Sequence, residues 1–134
     1  MKSESQSIQK DLVAASATPL VLAILSEGES YGYAIIKRVA ELSRGELRWT
    51  DGMVYPLLHR LERNGFVKTA WGRSETGRRR KYYRLTRTGS KHLARQHREW
   101  QIINLTLRDI WKNSVMTALG HAQMGQNILQ PSQP

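Results

Sequence analysis

Apolar residues recur along this chain with two different rhythms, and each predicts a different kind of element. The segment Thr18-Pro19-Leu20-Val21-Leu22-Ala23-Ile24-Leu25 offers a capping residue, a proline at the first helical position and an apolar run, ending at Gly28. Ile8, Leu12 and Ala15 share helical spacing upstream, so the first helical stretch is expected from about residue 8, with a bend near Pro19. Ser30 is expected to cap a second helix through Leu42, with Ile36, Val39 and Ala40 facing inward and Ser43-Arg44-Gly45 closing it. Leu47-Arg48-Trp49 is long enough only for a stub of strand. Thr50-Asp51 opens a third helix with Val54, Leu57, Leu58 and Leu61 on one face, and Asn64-Gly65 ends it. Pro56 falls inside that helix, removes a backbone donor and predicts a late start or a kink.

The rhythm then changes to a period of two. Phe66 to Arg73, with Val67, Thr69 and Trp71 alternating, and Arg80 to Thr86, with Tyr83 and Leu85, read as two strands around Ser74-Glu75-Thr76-Gly77. Thr86 is expected to cap a further helix that meets no proline through Lys112; about 26 residues at 1.5 Å each span about 39 Å. Leu93, Trp100 and Leu107 recur every seven residues there, and Ile103 and Ile110 complete the three-four spacing of a helix packed along a partner. With Trp111, these residues form the expected dimer interface. Met116, Leu119, Met124, Ile128 and Leu129 allow one more amphipathic stretch, broken near Gly120 and Gly125, before a disordered end at Gln130-Pro131-Ser132-Gln133-Pro134.

Three helices and a hairpin in that order define a winged helix-turn-helix. The expected fold is therefore mainly α with a small β-hairpin, organised as a winged domain over 8–86, a long dimerisation helix over 87–112 and a variable, partly disordered tail over 113–134.

Charge changes the picture from fold to partner. The net charge is +10, yet residues 1–67 carry eight Lys/Arg against eight Asp/Glu, and residues 99–134 two against two. The surplus lies wholly in residues 68–98, where eleven Lys/Arg face only Glu75. Such concentration favours a polyanionic partner, nucleic acid above all, with an anionic membrane or an acidic protein surface as the lesser readings. In a winged fold the third helix would present Met53, Tyr55, His59, Arg60 and Arg63 to a major groove, while Arg78-Arg79-Arg80-Lys81 in the wing would meet phosphates or the minor groove.

Other chemistry finds little to stand on. No segment approaches the apolar length of a membrane span, and the polar start Met1-Lys2-Ser3-Glu4-Ser5 is not a signal peptide, so a cytoplasmic protein is expected. Zero cysteines exclude thiolate catalysis and cysteine-bound zinc. His92 and His97 stand about 140° apart on a helix, so no metal is expected, and no phosphate loop, nucleophile elbow or isolated carboxylate pair suggests an enzyme. No cofactor is expected. A winged module that binds RNA or a protein partner, without an effector, is the alternative.

Tyr31-Gly32-Tyr33, the run Val54-Tyr55-Pro56-Leu57-Leu58-His59-Arg60-Leu61-Glu62, Gly65-Phe66-Val67, and Gly77-Arg78-Arg79-Arg80-Lys81-Tyr82-Tyr83-Arg84-Leu85-Thr86 with Gly89 together resemble the PadR family of bacterial regulators. The likeness covers about residues 18–112 and includes the Tyr-Pro pair inside the third helix. It implies a homodimeric promoter-binding protein, usually a repressor, often released from a pseudo-palindromic site by a small aromatic effector. It adds Tyr31 to the expected DNA contacts and resembles the short members, which have a single C-terminal helix. Trp100 reads from spacing alone as packing. The resemblance implies instead that Trp100 and its dimer mate wall an effector pocket, with Ile103 and Leu12 or Ala15 nearby, and Ile102 and Trp111 as further candidates. Phenolic acids, planar drugs and no effector at all remain open.

Overall fold

The computed structural model describes residues 8–129, and all of their side chains except those of residues 115, 116 and 121–129. The elements run in the order α1 (Lys10–Ser26), α2 (Gly32–Leu42), α3 (Asp51–Arg63), β1 (Val67–Arg73), β2 (Arg79–Leu85) and α4 (Arg87–Leu129). This is the mainly helical winged fold expected, and the chain divides into two compact units, Met1–Gln96 and His97–Pro134.

The core of the first unit collects one face from each element. Val21, Leu22, Ile24 and Leu25 of α1 meet Ile35 and Val39 of α2, Val54, Leu57, Leu58 and Leu61 of α3, Val67 of β1 and Tyr83 of β2. The α3 stripe is the one its spacing predicts. On α2 the fully buried positions are Gly32, Ile35 and Val39, while Ile36 and Ala40 are half-buried at the edge of the stripe. The inward face is therefore rotated by about one residue from that expected. Arg38 fastens α2 to the end of α1, donating from Nε and Nη2 to the two carboxylate oxygens of Glu27 at 3.1 and 2.9 Å. That pairing holds the Glu27 carboxyl below its ordinary value.

Four local expectations give way to packing. Thr18 does not cap a helix, because α1 runs unbroken through Pro19. A proline inside a helix costs about 3 kcal/mol, but the four large apolar residues that follow are each worth about 1.5–3 kcal/mol when buried. The carbonyl that Pro19 leaves without a donor belongs to exposed Ala15 and can turn to water. Pro56 likewise causes no late start: α3 begins at Asp51, and the bereft carbonyl is that of exposed Gly52. Residues 47–50 form no strand. Ser30 does not cap α2, whose N-cap is Tyr31 in extended backbone. Instead Ser30 exchanges two backbone hydrogen bonds with Tyr83, N–H to carbonyl, at 3.0 and 2.7 Å.

The hairpin is antiparallel, with Val67 opposite Leu85 and Arg73 opposite Arg79. Its tip closes through Ser74 N–H to the Arg78 carbonyl at 2.8 Å, and Gly77 takes a φ of 84° that side chains disfavour. The register sets two like-charged pairs face to face, Lys68 against Arg84 and Arg73 against Arg79. Directly opposed like charges weaken a sheet. At the base of the hairpin, Thr86 caps α4 as expected. Its hydroxyl accepts from Gly89 N–H at 2.9 Å and donates to the Gly65 carbonyl at 2.6 Å.

The last helix departs furthest from expectation. Rather than stopping at Lys112 and breaking near Gly120 and Gly125, α4 continues for 43 residues to Leu129. No proline interrupts it, and a glycine in a helix interior costs only about 1 kcal/mol. Met116, Met124, Ile128 and Leu129 are on the helix, but their side chains lie outside those described, and Gln130 to Pro134 lie outside the described residues altogether.

Gly89 sits where a Cβ would strike the Phe66 carbonyl, a backbone atom that cannot swing away. Gly89→Ala should therefore lower stability by about 1–3 kcal/mol, seen as a lower urea midpoint with an unchanged slope.

Candidate nucleic-acid interface

The α3 stripe buried in the core leaves its opposite side open, and the wing folds beside it. Between them lies an open cleft of about 450 Å³. Tyr31 and Tyr33 border it from the start of α2, Tyr55 and His59 from α3, and Trp71 with Arg78, Arg79, Arg80 and Lys81 from the wing. Tyr83 forms part of its floor. Among the described residues, no acidic side chain lines it.

Each wall has a physical cause. The Tyr55 ring lies directly against Gly32, where any Cβ would overlap it. The Ser30 to Tyr83 exchange brings Tyr31 alongside β2, where it meets Tyr82 edge-on at 5.6 Å and 76°. The Arg80 guanidinium stands 3.8 Å from the centre of the Tyr31 ring, and that of Arg79 4.4 Å from Trp71. Burial, then nearby Glu62 and Tyr55, push the Tyr83 hydroxyl above its ordinary value, so it stays neutral.

The residues singled out in the sequence divide accordingly. Tyr31, Tyr55, His59, Arg78, Arg79, Arg80 and Lys81 converge on one cleft. Arg60 and Arg63 are exposed in the last turn of α3, outside the lining of the cleft, where their charge complements the helix dipole. Met53 is half-buried and packs against the core, so it does not stand on the open face. Lys81 faces Glu62 of α3 at 3.9 Å, and the same carboxylate accepts from Thr69 at 3.1 Å. Its charge is therefore partly answered within the molecule. Trp71, Tyr33 and Glu62 were not singled out; Trp71 had been seen only as a strand residue, although its nearness to the hairpin tip was a usable signal.

On α4, Leu93 packs against the core of its own unit instead of standing free for a partner. In the second unit Trp100 is half-buried, whereas Ile103, Leu107, Ile110 and Trp111 are exposed. At 100° per residue these five fall within about 100° of arc. Ile102 and Leu105, also exposed, point to the other side. In the first unit, Leu12 is exposed on α1, as is Ala15.

A helical core that frees one face of its third helix beside a cationic two-stranded wing defines a winged helix-turn-helix regulator of the DNA-binding kind. Residues 21–95 match the model of the Transcriptional regulator PadR-like family, and the chain belongs to that family. It is similar to a transcriptional regulator from Clostridium thermocellum, with 31% identity, 76% of this chain and 96% of that one covered, and a TM-score of 0.69. A PadR family transcription regulator from Clostridium difficile shares 33% identity over 71% of this chain and 97% of its own, with a TM-score of 0.64. A PadR-like transcriptional regulator from Bacillus cereus, 23% identical over 78% of this chain and 99% of its own, has the same fold at a TM-score of 0.70. The family and these neighbours are regulators of transcription and not enzymes. Among the described residues, no helix is long and apolar enough to cross a membrane.

Because Glu62 restrains Lys81, Glu62→Gln should release a cation to the cleft. Affinity for random duplex should rise, and the slope of log affinity against log salt should steepen by about 0.9 per subunit, measured by fluorescence anisotropy. An unchanged slope would mean that Lys81 already reaches phosphate.

Proposed function

We propose that the protein is a homodimeric repressor that binds a pseudo-palindromic operator through α3 and the wing and is released by a small aromatic effector. The acid-free cleft carries the DNA part of this reading, since it gathers tyrosines, His59 and four wing cations on one surface. Tyr55 and His59 of α3 are the candidates for base edges, with Arg60 and Arg63 continuing along the same helix. Arg78, with the neighbouring wing cations, serves phosphates.

The dimer rests on the apolar arc of α4. Ile103, Leu107, Ile110 and Trp111, with half-buried Trp100 on the same arc, leave large side chains in water that a second copy would cover. A twofold dimer presents two copies of α3 to half-sites about one helical turn apart. The effector reading rests on Trp100: a flat ligand stacked on this ring, beside Ile103, would favour one arrangement of the two subunits. By linkage, a ligand that prefers an arrangement unsuited to the operator weakens DNA binding by the factor with which DNA weakens its own binding.

The test is a titration of the purified protein on the DNA upstream of its own gene, with random duplex as competitor and salt varied. If each subunit neutralises about four phosphates, the dimer's log affinity should fall with log salt at a slope near −7. Competitor-resistant binding with that slope is expected, and failure to bind any duplex would sink the reading in favour of an RNA or protein partner. Trp100→Ala, measured at a concentration where it is still a dimer, should lose both ligand affinity and ligand-induced release. Release that survives in this variant would place the effector elsewhere.

A further inference from the structure

We infer that Trp71 and Tyr31 are positioning residues of the wing, each holding the guanidinium of one arginine, Arg79 and Arg80, in the pose that meets DNA. The inference rests on the DNA-binding reading above and assigns to these rings a role through the arginines and not through contact of their own.

The hairpin register makes the arrangement possible. Arg79 and Arg80 are consecutive in β2 and project to opposite faces of the hairpin. Trp71 lies opposite Lys81, so Arg79 is its diagonal neighbour on the same face, a separation that large rings and long side chains bridge. Gly72 lies opposite Arg80 and offers it no side chain to lean on. Arg80 turns instead to Tyr31, reaching its ring at 3.8 Å and approaching the Tyr82 hydroxyl at 3.5 Å.

Both rings are held for reasons independent of the arginines or are placed without other employment. Tyr31 is set by the Ser30 to Tyr83 exchange and by Tyr82. Trp71 is 59% exposed at the distal part of the wing, and the Arg79 guanidinium is the group that stacks on it. A guanidinium face-on to a ring keeps its N–H donors in its own plane, free for phosphate or base edges. It also loses rotamer freedom before DNA arrives, so less is lost on binding. The four adjacent cations would otherwise repel one another into many conformers. Strand alternation sends two of them to opposite faces and the rings hold them there, while Glu62 draws Lys81 toward α3. The wing thus brings one oriented guanidinium from each of its faces to the border of the same cleft, with N–H donors free for phosphate.

A double-mutant cycle tests this, using full-length wild-type protein, Trp71→Ala, Arg79→Ala and the double variant on operator duplex, with anisotropy as readout. Trp71→Ala should weaken binding between about twofold and thirtyfold with the salt slope unchanged, because no charge is lost. Arg79→Ala should flatten the slope by about 0.9 per subunit, and in its background Trp71→Ala should cost less than about twofold. Trp71→Phe, which keeps a ring, should recover most of the loss, and Tyr31→Ala should weaken binding with the salt slope unchanged in the wild-type background but by less than about twofold in that of Arg80→Ala. An equal loss in both backgrounds would show that Trp71 touches DNA itself, and no loss in the wild-type background would show that the stack is idle; either overturns the inference. An equal Tyr31→Ala loss with and without Arg80 would overturn it for Tyr31 by giving that ring a contact of its own. Wild-type protein that binds no duplex would overturn the functional reading and this inference together, which separates that failure from the others.

Discussion

Ser30 and Tyr83 exchange both of their backbone hydrogen bonds, and through that exchange the approach to α2 becomes a third, one-residue edge of the hairpin. Tyr83 is at the same time 1% exposed and packed among residues from all three helices of the first unit. One residue therefore ties the wing to the core by its side chain and to the start of α2 by its backbone. Were this pairing lost, β2 would keep only β1 as a neighbour, and a two-stranded hairpin is marginal in water without further packing. The position of Tyr31, and with it the stack on Arg80, follows from the same pair of bonds.

The remaining ties distribute the wing between the helices on either side. Glu62 reaches from α3 to Thr69 and Lys81, one on each strand. Thr86 closes the base of the hairpin by reaching back to Gly65 while capping α4. Phe66 contributes at the same junction, stacking on His92 at 4.2 Å and lending its carbonyl to Thr86 N–H at 3.0 Å. These contacts are individually modest, because each is partly open to solvent. Their value is that they fix the wing at three places along its length, so the cleft that it forms with α3 has one shape.

Much of this was legible in the sequence where a single element determines the outcome. The α3 stripe, the hairpin and the Thr86 cap followed from periodicity and local hydrogen-bonding chemistry, and the asymmetry of charge pointed to the wing. Pro19 and Ser30 were misread because the local rules that govern proline and capping serine were overridden by burial of Val21 to Leu25 and by a pairing across more than fifty residues of chain. The length of α4 was misread because glycine was given the weight of a break. Nearness to the hairpin tip pointed toward Trp71, but its partner and those of Glu62 are defined by strand register and by the distance from α3 to the wing. Neither quantity is written in any local pattern.

The register also leaves the hairpin divided against itself. Lys68 opposes Arg84, and Arg73 opposes Arg79, so two of its seven facing pairs set like charges together. Such a hairpin gains from any polyanion that approaches it, because phosphates relieve a repulsion already present in the folded chain. A nucleic acid bound there would be more than a target to be recognised: it would complete the electrostatic structure of the wing. Free and bound protein would then differ in how firmly the same fold is held, by the linkage that lets a ligand stabilise the state it prefers.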